Sequence, residues 1–282
     1  MSSERAAGRA KSFAGRFGPW AVVTGASDGI GKEMARELAS HGLSLVLSSR
    51  SEAKLASFAN ELEETFGIAT KVLPADFSIA DENRRLIAAT ESLDVGLLVA
   101  AAGYGTSGNL IDSDASAESG MVDLNCRAVL TQAQHFARRF AARRSGGIIL
   151  LSSLVAFQGV ARAANYAATK AYIQSLAEGL RIELRPYGVE VLASAPGPVQ
   201  SGFATRAKMD LGNAENPAIV AKETVRALGR SGTVRPGLRA KLLEASLAFL
   251  PRSGRVRIMS AVMKGMTGYR HDLHQEEAAR ST

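Results

Sequence analysis

The stretch WAVVTGASDGIG, residues 20–31, decides the fold of this 282-residue chain. Residues 21–23 form a short apolar run typical of a buried β-strand, and the glycine-rich residues 24–31 after them lead into a helical pattern. Beyond this stretch, short apolar runs keep alternating with longer helical patterns, the longest of which cover residues 119–142 and 165–187. Such alternation is typical of βαβ units. We therefore predict an α/β fold with a doubly wound parallel sheet of about seven strands and helices on both faces.

Three regions are predicted along the chain. Residues 1–17 carry four arginine or lysine side chains without the long apolar run of a secretory signal, so we expect a mobile basic tail. Residues 18–237 contain the whole alternating pattern and should form a single Rossmann-type domain. Residues 238–282 follow as a C-terminal helical extension.

The composition excludes several classes of protein. The longest apolar runs are too short to span a bilayer. The single cysteine, Cys126, excludes an intramolecular disulfide and a cysteine-based metal cluster, so we expect a reducing cytoplasmic setting and no metal site. The net charge is +7, yet residues 230–270 alone hold nine basic side chains against one acid. Because the remainder is nearly balanced, we expect no nucleic-acid partner.

Three glycines after the first strand indicate a dinucleotide site. Gly25, Gly29 and Gly31 have G-x-x-x-G-x-G spacing at a strand-to-helix turn, where backbone amides and a helix N-terminus can approach a pyrophosphate. The spacing differs from the better-known G-x-G-x-x-G fingerprint, and three glycines alone could reflect plain turn geometry. Their position directly after the first strand favours the dinucleotide site. The neighbouring residues of the turn belong to the same predicted site: Ser27, Asp28 and Ile30.

The end of the second predicted strand decides the choice of cofactor. An acidic side chain there would bond the adenosine ribose of NAD, but this chain has Ser48, Ser49 and Arg50. The planar guanidinium of Arg50 can pair with a 2′-phosphate, so we favour NADP(H) over NAD. The alternative is that Arg50 only solvates a loop.

A tyrosine and a lysine, Tyr166 and Lys170, lie one helical turn apart on the same face of a predicted helix. A lysine ammonium near a phenol favours the phenolate and lowers the pKa of the phenol, which suits proton exchange near neutral pH. A lone Y-x-x-x-K pair is more often part of an ordinary amphipathic helix. The other motifs of the chain favour the chemical interpretation.

Together these residues resemble the short-chain dehydrogenase/reductase family. The T-G-x-x-x-G-x-G motif of the family matches the glycine-rich turn, and its Y-x-x-x-K motif matches Tyr166 and Lys170. Ser153, thirteen residues before the tyrosine, falls on the catalytic serine, and Asn125 falls on the asparagine of the fourth helix. The chain is also similar, less specifically, to the NADP-linked 17β-hydroxysteroid and 3-ketoacyl-CoA reductase branch.

The resemblance, which covers about residues 18–203, implies reversible hydride transfer between NADP(H) and a carbonyl/alcohol pair of an apolar, steroid-, fatty-acyl- or retinoid-like molecule. Tyr166 would be the general acid and base, and Lys170 would lower its pKa and hold the nicotinamide ribose. Ser153 would hydrogen-bond the substrate oxygen, and Asn125 would hold a water that relays protons. A homodimer or homotetramer is also implied. The resemblance adds these cofactor contacts: Asp76, Phe77, Ala102, Gly103, Pro196, Gly197, Val199 and Ser201.

One departure from the family pattern leaves a rival open. Where N-N-A-G is usual, the chain reads Ala-Ala-Ala-Gly at residues 100–103. The missing asparagines would brace the central sheet and the cofactor floor, so the resemblance implies reduced rigidity and cofactor affinity. The rival is a non-catalytic module that senses NADP(H) and binds a protein partner, although the presence of Ser153, Tyr166 and Lys170 argues against it. A dehydrogenase that runs mainly in the oxidative direction also stays open.

The C-terminal extension allows several roles. Apolar helices edged with arginine and lysine are predicted at residues 238–250 and 256–266, and we expect them on or near the substrate side of the domain. They could cover an apolar pocket, bind a partner or lie on an anionic membrane surface. The alternative is that these helices only pack on the core, with their basic side chains exposed to solvent and no further role.

Overall fold

In the computed structural model, residues 13–207, 209–210, 212 and 214–280 are described. Seven parallel strands form one sheet in this part of the chain. Their bounds are β1 (Trp20–Thr24), β2 (Ser44–Ser49), β3 (Thr70–Pro74), β4 (Val95–Ala100), β5 (Gly146–Leu151), β6 (Val189–Ser194) and β7 (Thr233–Val234). The order across the sheet is β3-β2-β1-β4-β5-β6-β7. The predicted doubly wound parallel sheet is therefore confirmed.

Helices connect the strands and cover the sheet. They are α1 (residues 13–17), α2 (Gly29–Ser40), α3 (Glu52–Phe66), α4 (Ala80–Thr90), α5 (Ala115–Val122), α6 (Val129–Arg143), α7 (Ala164–Leu184), α8 (Gly202–Arg206), α9 (Pro217–Ala227), α10 (Leu238–Ala248) and α11 (Arg252–Arg280). Short 3₁₀ helices lie at Leu110–Asp112, Leu154–Phe157 and Arg185–Tyr187.

The sheet is buried on both faces. On one face α2, α3 and α9 pack through side chains such as Leu38 and Leu55, and on the other α4, α6 and α7 pack through side chains such as Leu86 and Phe136. Strands covered on both faces are uniformly apolar, which explains the unbroken apolar runs of the sequence. The strand order reverses beside β1, which pairs with both β2 and β4. Ligands of doubly wound sheets bind at such a point, outside the carboxyl ends of the strands.

The start of α2 is fixed by Asp28 and Gly31. The Asp28 carboxylate caps the helix by accepting a hydrogen bond from Gly29 N at 2.7 Å. Gly31 lies so close to the preceding turn that a Cβ atom there would come within 2.3 Å of the Gly25 carbonyl oxygen. A side chain at position 31 would therefore push the helix N-terminus away from the turn after β1.

The long helix predicted at residues 119–142 is interrupted. A π-helical segment, Asp123–Ala128, separates α5 from α6. It contains Asn125, which is 1% exposed. Single π-helical turns inside α-helices are rare and occur frequently at functional sites.

The last five residues of the tail predicted at residues 1–17 are helical. Residues 1–12 lie outside the described residues, but residues 13–17 form α1 and pack on the domain. Phe17 is 1% exposed, and the absence of a side chain at Gly147 makes room for its ring, since a Cβ atom there would lie 2.9 Å from Phe17 Cε1. Arg16 forms an ion pair with Glu190 of β6. The domain therefore includes residues 13–17.

The C-terminal extension packs on the domain as α10 and α11. Leu247 of α10 and Met259 and Met263 of α11 are buried in a cluster with Met209. The second helix begins earlier and ends later than the pattern at residues 256–266 predicts. Within the described residues, no helix combines the length and the apolar character needed to cross a membrane.

We predict that Phe17→Ala lowers the free energy of unfolding by about 3 kcal/mol, because truncating a fully buried phenylalanine removes its contacts and leaves a cavity. Ile111→Ala, at a side chain that is 93% exposed, is the control and should change stability by less than about 0.5 kcal/mol. Chemical denaturation measures both variants. If Phe17→Ala were as stable as Ile111→Ala, the packing of residues 13–17 would not contribute to the stability of the domain, and the prediction would be wrong.

Candidate active site

A cavity of about 410 Å³ lies at the carboxyl ends of the strands. It is lined by residues that follow β1, β3, β4 and β6 and by the ends of β2 and β5. It thus crosses the point between β1 and β4 where the strand order reverses. The topology alone brings these distant parts of the chain to one sheet edge.

The residues predicted to contact the cofactor come together in this cavity. Ser153 also lines it, whereas Asn125 does not. The predicted cofactor contacts in the lining are Gly25, Ser27, Asp28, Gly29, Ile30, Gly31, Ser49, Arg50, Asp76, Phe77, Ala102, Gly103, Tyr166, Lys170, Pro196, Gly197, Val199 and Ser201. Their individual roles stay predictions. In the part of the chain that the structure describes, no group of three His, Cys, Asp or Glu side chains is placed to hold a metal ion.

The turn after β1 is braced against the end of β4 by Thr24. Its Oγ1 accepts hydrogen bonds from Ala101 N and Ala102 N, each at 3.2 Å. Gly25 has a φ of +70°, and a Cβ atom there would lie 2.9 Å from Ala102 N. The backbones of the two segments therefore touch. Thr24 supplies a brace at the place where the asparagines usual in the family are missing.

Asn125 lies directly behind the cavity wall. A Cβ atom on Gly103, which lines the cavity, would come within 2.9 Å of Asn125 Oδ1. Asn125 Oδ1 accepts a hydrogen bond from Tyr104 N at 3.1 Å, and Nδ2 donates to Tyr104 O at 2.8 Å and to Thr169 Oγ1 at 3.1 Å. The side chain therefore ties the segment after β4 to α7.

Tyr166 and Lys170 project from the first turns of α7 towards the end of β5. Lys170 Nζ donates a hydrogen bond to Leu151 O at 2.8 Å and lies 5.7 Å from the centroid of the Tyr166 ring. The Ser153 hydroxyl, just after β5, lies close enough to the Tyr166 phenol to influence its pKa. A strand end and a helix, both buried in the core, hold the three side chains together.

Burial shifts the pKa values of Tyr166 and Lys170 in opposite directions. Burial raises the pKa of Tyr166 to about 12, against the opposing effect of the Ser153 hydroxyl. Burial lowers the pKa of Lys170 to about 8. The phenol therefore keeps its proton at neutral pH, and the ammonium keeps its charge. The pKa of Tyr166 is thus shifted in the direction opposite to the one expected from the sequence, and burial is the largest cause of the shift.

Glu118 is a residue of the site region that sequence reasoning missed. Its carboxylate accepts hydrogen bonds from Asn165 Nδ2 at 2.6 Å and from Thr106 Oγ1 at 2.7 Å. Asn165 precedes Tyr166, so Glu118 ties α5 to the first turn of α7 and to the segment after β4. The spacing of these residues along the chain gives no signal for this contact.

One end of the cavity is apolar, and residues of both helices of the C-terminal extension line it, which is one of the roles that the sequence left open for them. Phe203 lies with its ring centroid 5.3 Å from that of Tyr166. The C-terminal extension adds Met259, Met263 and Met266, whose spacing on one face of α11 could have indicated a shared surface. Methionine side chains are flexible and polarisable, so this wall can adapt to apolar molecules of different shape. Other lining residues that the sequence did not single out are Lys54, Leu154, Val155, Arg206, Met209, Leu243 and Val262.

A glycine-rich turn that leads into the first crossover helix, at the switch point of a doubly wound sheet, defines a Rossmann-type nucleotide-binding protein. The model of the short chain dehydrogenase family matches residues 19–211, well over half of the chain. The chain belongs to this family, and the resemblance read from its motifs is confirmed.

Relatives and solved structures agree with this assignment. The chain is 39% identical over 182 residues to the very-long-chain 3-oxoacyl-CoA reductase of Podospora anserina, a match that covers 63% of this chain and 54% of that protein. The chain thus spans about half the length of that relative. A structure from work on 7β-hydroxysteroid dehydrogenase stereoselectivity matches with a TM-score of 0.81 at 28% identity, covering 88% of this chain and 98% of the other. A short-chain dehydrogenase from Sphingobium yanoikuyae in complex with NADPH matches with a TM-score of 0.75 at 27% identity, covering 83% and 96%.

We predict that Thr24→Val lowers the free energy of unfolding by about 1 to 2 kcal/mol, because it leaves the part-buried amides of Ala101 and Ala102 without an acceptor. Thr24→Ser keeps the hydroxyl oxygen and is the control, with an expected loss of less than about 1 kcal/mol. Chemical denaturation compares the two variants. If Thr24→Val and Thr24→Ser were equally stable, the Thr24 hydroxyl would not be what holds the turn after β1 against the end of β4.

Proposed function

We propose that this protein interconverts a carbonyl and a secondary alcohol of a bulky apolar molecule, with NADP(H) as the cofactor. The observation that carries the proposal is the convergence of Ser153, Tyr166 and Lys170 in a cavity with two unlike ends. One end is the glycine-rich turn, and the other is the apolar wall that contains Phe203 and the methionines of α11.

The protonation states of Tyr166 and Lys170 support a role in carbonyl reduction. Tyr166, protonated because its pKa is raised to about 12, gives its proton to the carbonyl oxygen as negative charge develops there. Ser153 hydrogen-bonds the same oxygen, and the Lys170 ammonium favours the phenolate that is left behind. When bound, the nicotinamide of NADPH supplies the hydride. In oxidation the phenolate takes the hydroxyl proton of the alcohol.

The end of β2 supports NADP(H) as the cofactor. Ser49 Oγ is buried without a hydrogen-bond partner and belongs to a residue that lines the cavity, beside the exposed Arg50. Lys54 adds a second cation to the same lining. A hydroxyl and two cations suit a 2′-phosphate, and the similar Sphingobium enzyme is a complex with NADPH.

The apolar wall supports a bulky apolar substrate. Among its members, Met259 and Met263 are each 5% exposed and pack against Met209. The names of the relatives refer to a long acyl chain and to a steroid, both of which are large and mostly apolar. We extend this substrate class, though neither particular substrate, to the present protein.

The remaining roles follow from the same site. Asn125, already hydrogen-bonded to Tyr104 and Thr169, would hold a water that relays protons through Lys170.

Exposed apolar side chains on α5, α6 and α7, such as Val122, Leu130 and Tyr172, support a homodimer or homotetramer formed through these helices. The cytoplasm is the proposed location of the enzyme.

Tyr166→Phe should lower kcat for ketone reduction by about a thousandfold, because it removes the proton donor of the reaction. NADPH binding, measured by fluorescence, should stay nearly unchanged, since the cofactor contacts elsewhere in the cavity are kept. A variant that retains more than about a tenth of the wild-type rate would refute the role of the phenol. NADPH binding without turnover of any ketone by the wild type would instead favour the non-catalytic sensing module.

Arg50→Glu should weaken NADPH binding at least tenfold, by about 1.4 kcal/mol or more, with little effect on NADH, because the new carboxylate repels a 2′-phosphate. Arg185→Glu is the matched control, since this exposed arginine precedes β6 at the opposite, amino edge of the sheet. Dissociation constants for both cofactors measure the effect. Equal weakening of NADH and NADPH would mean that Arg50 does not contact the 2′-phosphate.

A further inference from the structure

An apolar stripe runs along the outer face of α10. Leu238, Leu242, Ala245 and Phe249 follow each other at helical spacing and lie within about 60° of one another around the axis. Leu238 is 69% exposed, Leu242 61% and Phe249 95%. The opposite face of α10 is apolar as well, but there Leu247 is buried in the core. Only one of the two apolar faces is therefore covered by the domain.

The outer face of α11 continues this exposed apolar area. Ile258 and Val262 are 40% and 42% exposed, while Met259 and Met263 hold the neighbouring face of the helix in the core. Both helices pack their inner faces on the same cluster of buried side chains. We call their exposed apolar residues the docking surface: Leu238, Leu242, Ala245, Phe249, Ile258 and Val262.

Basic side chains flank the docking surface. Arg252, Arg257 and Lys264 are exposed on α11, and Lys241 of α10 is exposed too but forms an ion pair with Glu223 of α9 at 2.7 Å. Residues 230–270 hold nine basic side chains and one acid, so the charge of this part of the chain is strongly positive. Exposed apolar residues bordered by lysine and arginine are typical of helices that lie in the interface of anionic membranes. A second copy of the chain fits this surface less well, because pairing two such faces would bring like charges together.

We propose that α10 and α11 bind the surface of an anionic lipid bilayer through the docking surface. The apolar side chains enter the boundary between headgroups and acyl chains, and the flanking cations contact the anionic headgroups. This mode of binding needs no spanning helix.

The docking surface adjoins the cavity. Val262 belongs to both, and Leu243 of α10 lines the cavity next to Leu242 of the docking surface. The docking surface therefore borders the apolar end of the cavity. We infer that an apolar molecule dissolved in the membrane would have only a short distance to cover to the site.

Vesicle flotation of the full chain tests the proposal. The protein should float with vesicles of equal parts phosphatidylglycerol and phosphatidylcholine at low salt. With vesicles of pure phosphatidylcholine it should remain at the bottom of the gradient. High salt should release it from the anionic vesicles, because the contact with their headgroups is electrostatic. No flotation with the anionic vesicles at low salt would overturn the proposal.

Variants locate the contact. Phe249→Ser should lower the partition coefficient roughly tenfold, as expected for withholding one large apolar side chain from an apolar environment. Arg252→Glu combined with Arg257→Glu should have a similar effect and keeps the test open if Phe249→Ser misfolds, which circular dichroism would reveal. Turnover of a water-soluble ketone should not change, since Phe249 does not line the cavity.

Ile182→Ser is the matched control, because Ile182 is 69% exposed near the end of α7, at the amino edge of the sheet. It should float like the wild type. An equal loss of flotation in Ile182→Ser would show that the binding is not specific to the docking surface. If Phe249→Ser instead converted an oligomer to a smaller species in sedimentation while flotation stayed the same, the surface would bind a second copy of the chain, and the proposal would be wrong.

Discussion

The contact between the turn after β1 and the end of β4 is the constraint on which the site depends. The Thr24 hydroxyl holds the amides of Ala101 and Ala102, and Gly25 allows the two backbones to touch. This contact lies at the switch point of the sheet. It holds the glycine-rich turn, which lines one side of the cavity, next to the segment after β4. A larger residue at position 25 would therefore change the shape of the cavity without altering any of the proposed catalytic residues.

Burial then sets the chemistry of the cavity. Lys170 is buried and Tyr166 is half-buried on the cavity wall, so the pKa of Lys170 is lowered and the pKa of Tyr166 is raised. Part of this enclosure comes from α11, whose methionines complete the wall next to Phe203. The C-terminal extension is thus physically coupled to the reaction centre, and the same helices carry the proposed membrane contact on their outer faces. Substrate entry and exclusion of water would both depend on how these helices are held.

Local patterns predicted the strands, the glycine-rich turn and the shared helix face of Tyr166 and Lys170, because periodicity and spacing depend on residues close together in the sequence, whereas Ser153 was identified through the family resemblance. Features that depend on distant contacts were not predictable. The π-helical turn at Asn125 accompanies bonds to Tyr104 and Thr169, which no local pattern indicates. The same holds for the packing of Phe17 and the contacts of Glu118. The direction of the Tyr166 pKa shift was expected wrongly, because the spacing of Tyr166 and Lys170 contains no information on burial.

The central claim is that this cavity carries out hydride transfer to an apolar ketone. It is tested most directly with NADPH that carries deuterium at the transferable position of the nicotinamide and with a bulky apolar ketone as substrate. Mass spectrometry of the product should find an alcohol with one deuterium on the carbon that bore the carbonyl oxygen. An alcohol without deuterium, or no alcohol from any ketone tested although NADPH is bound, would contradict the account.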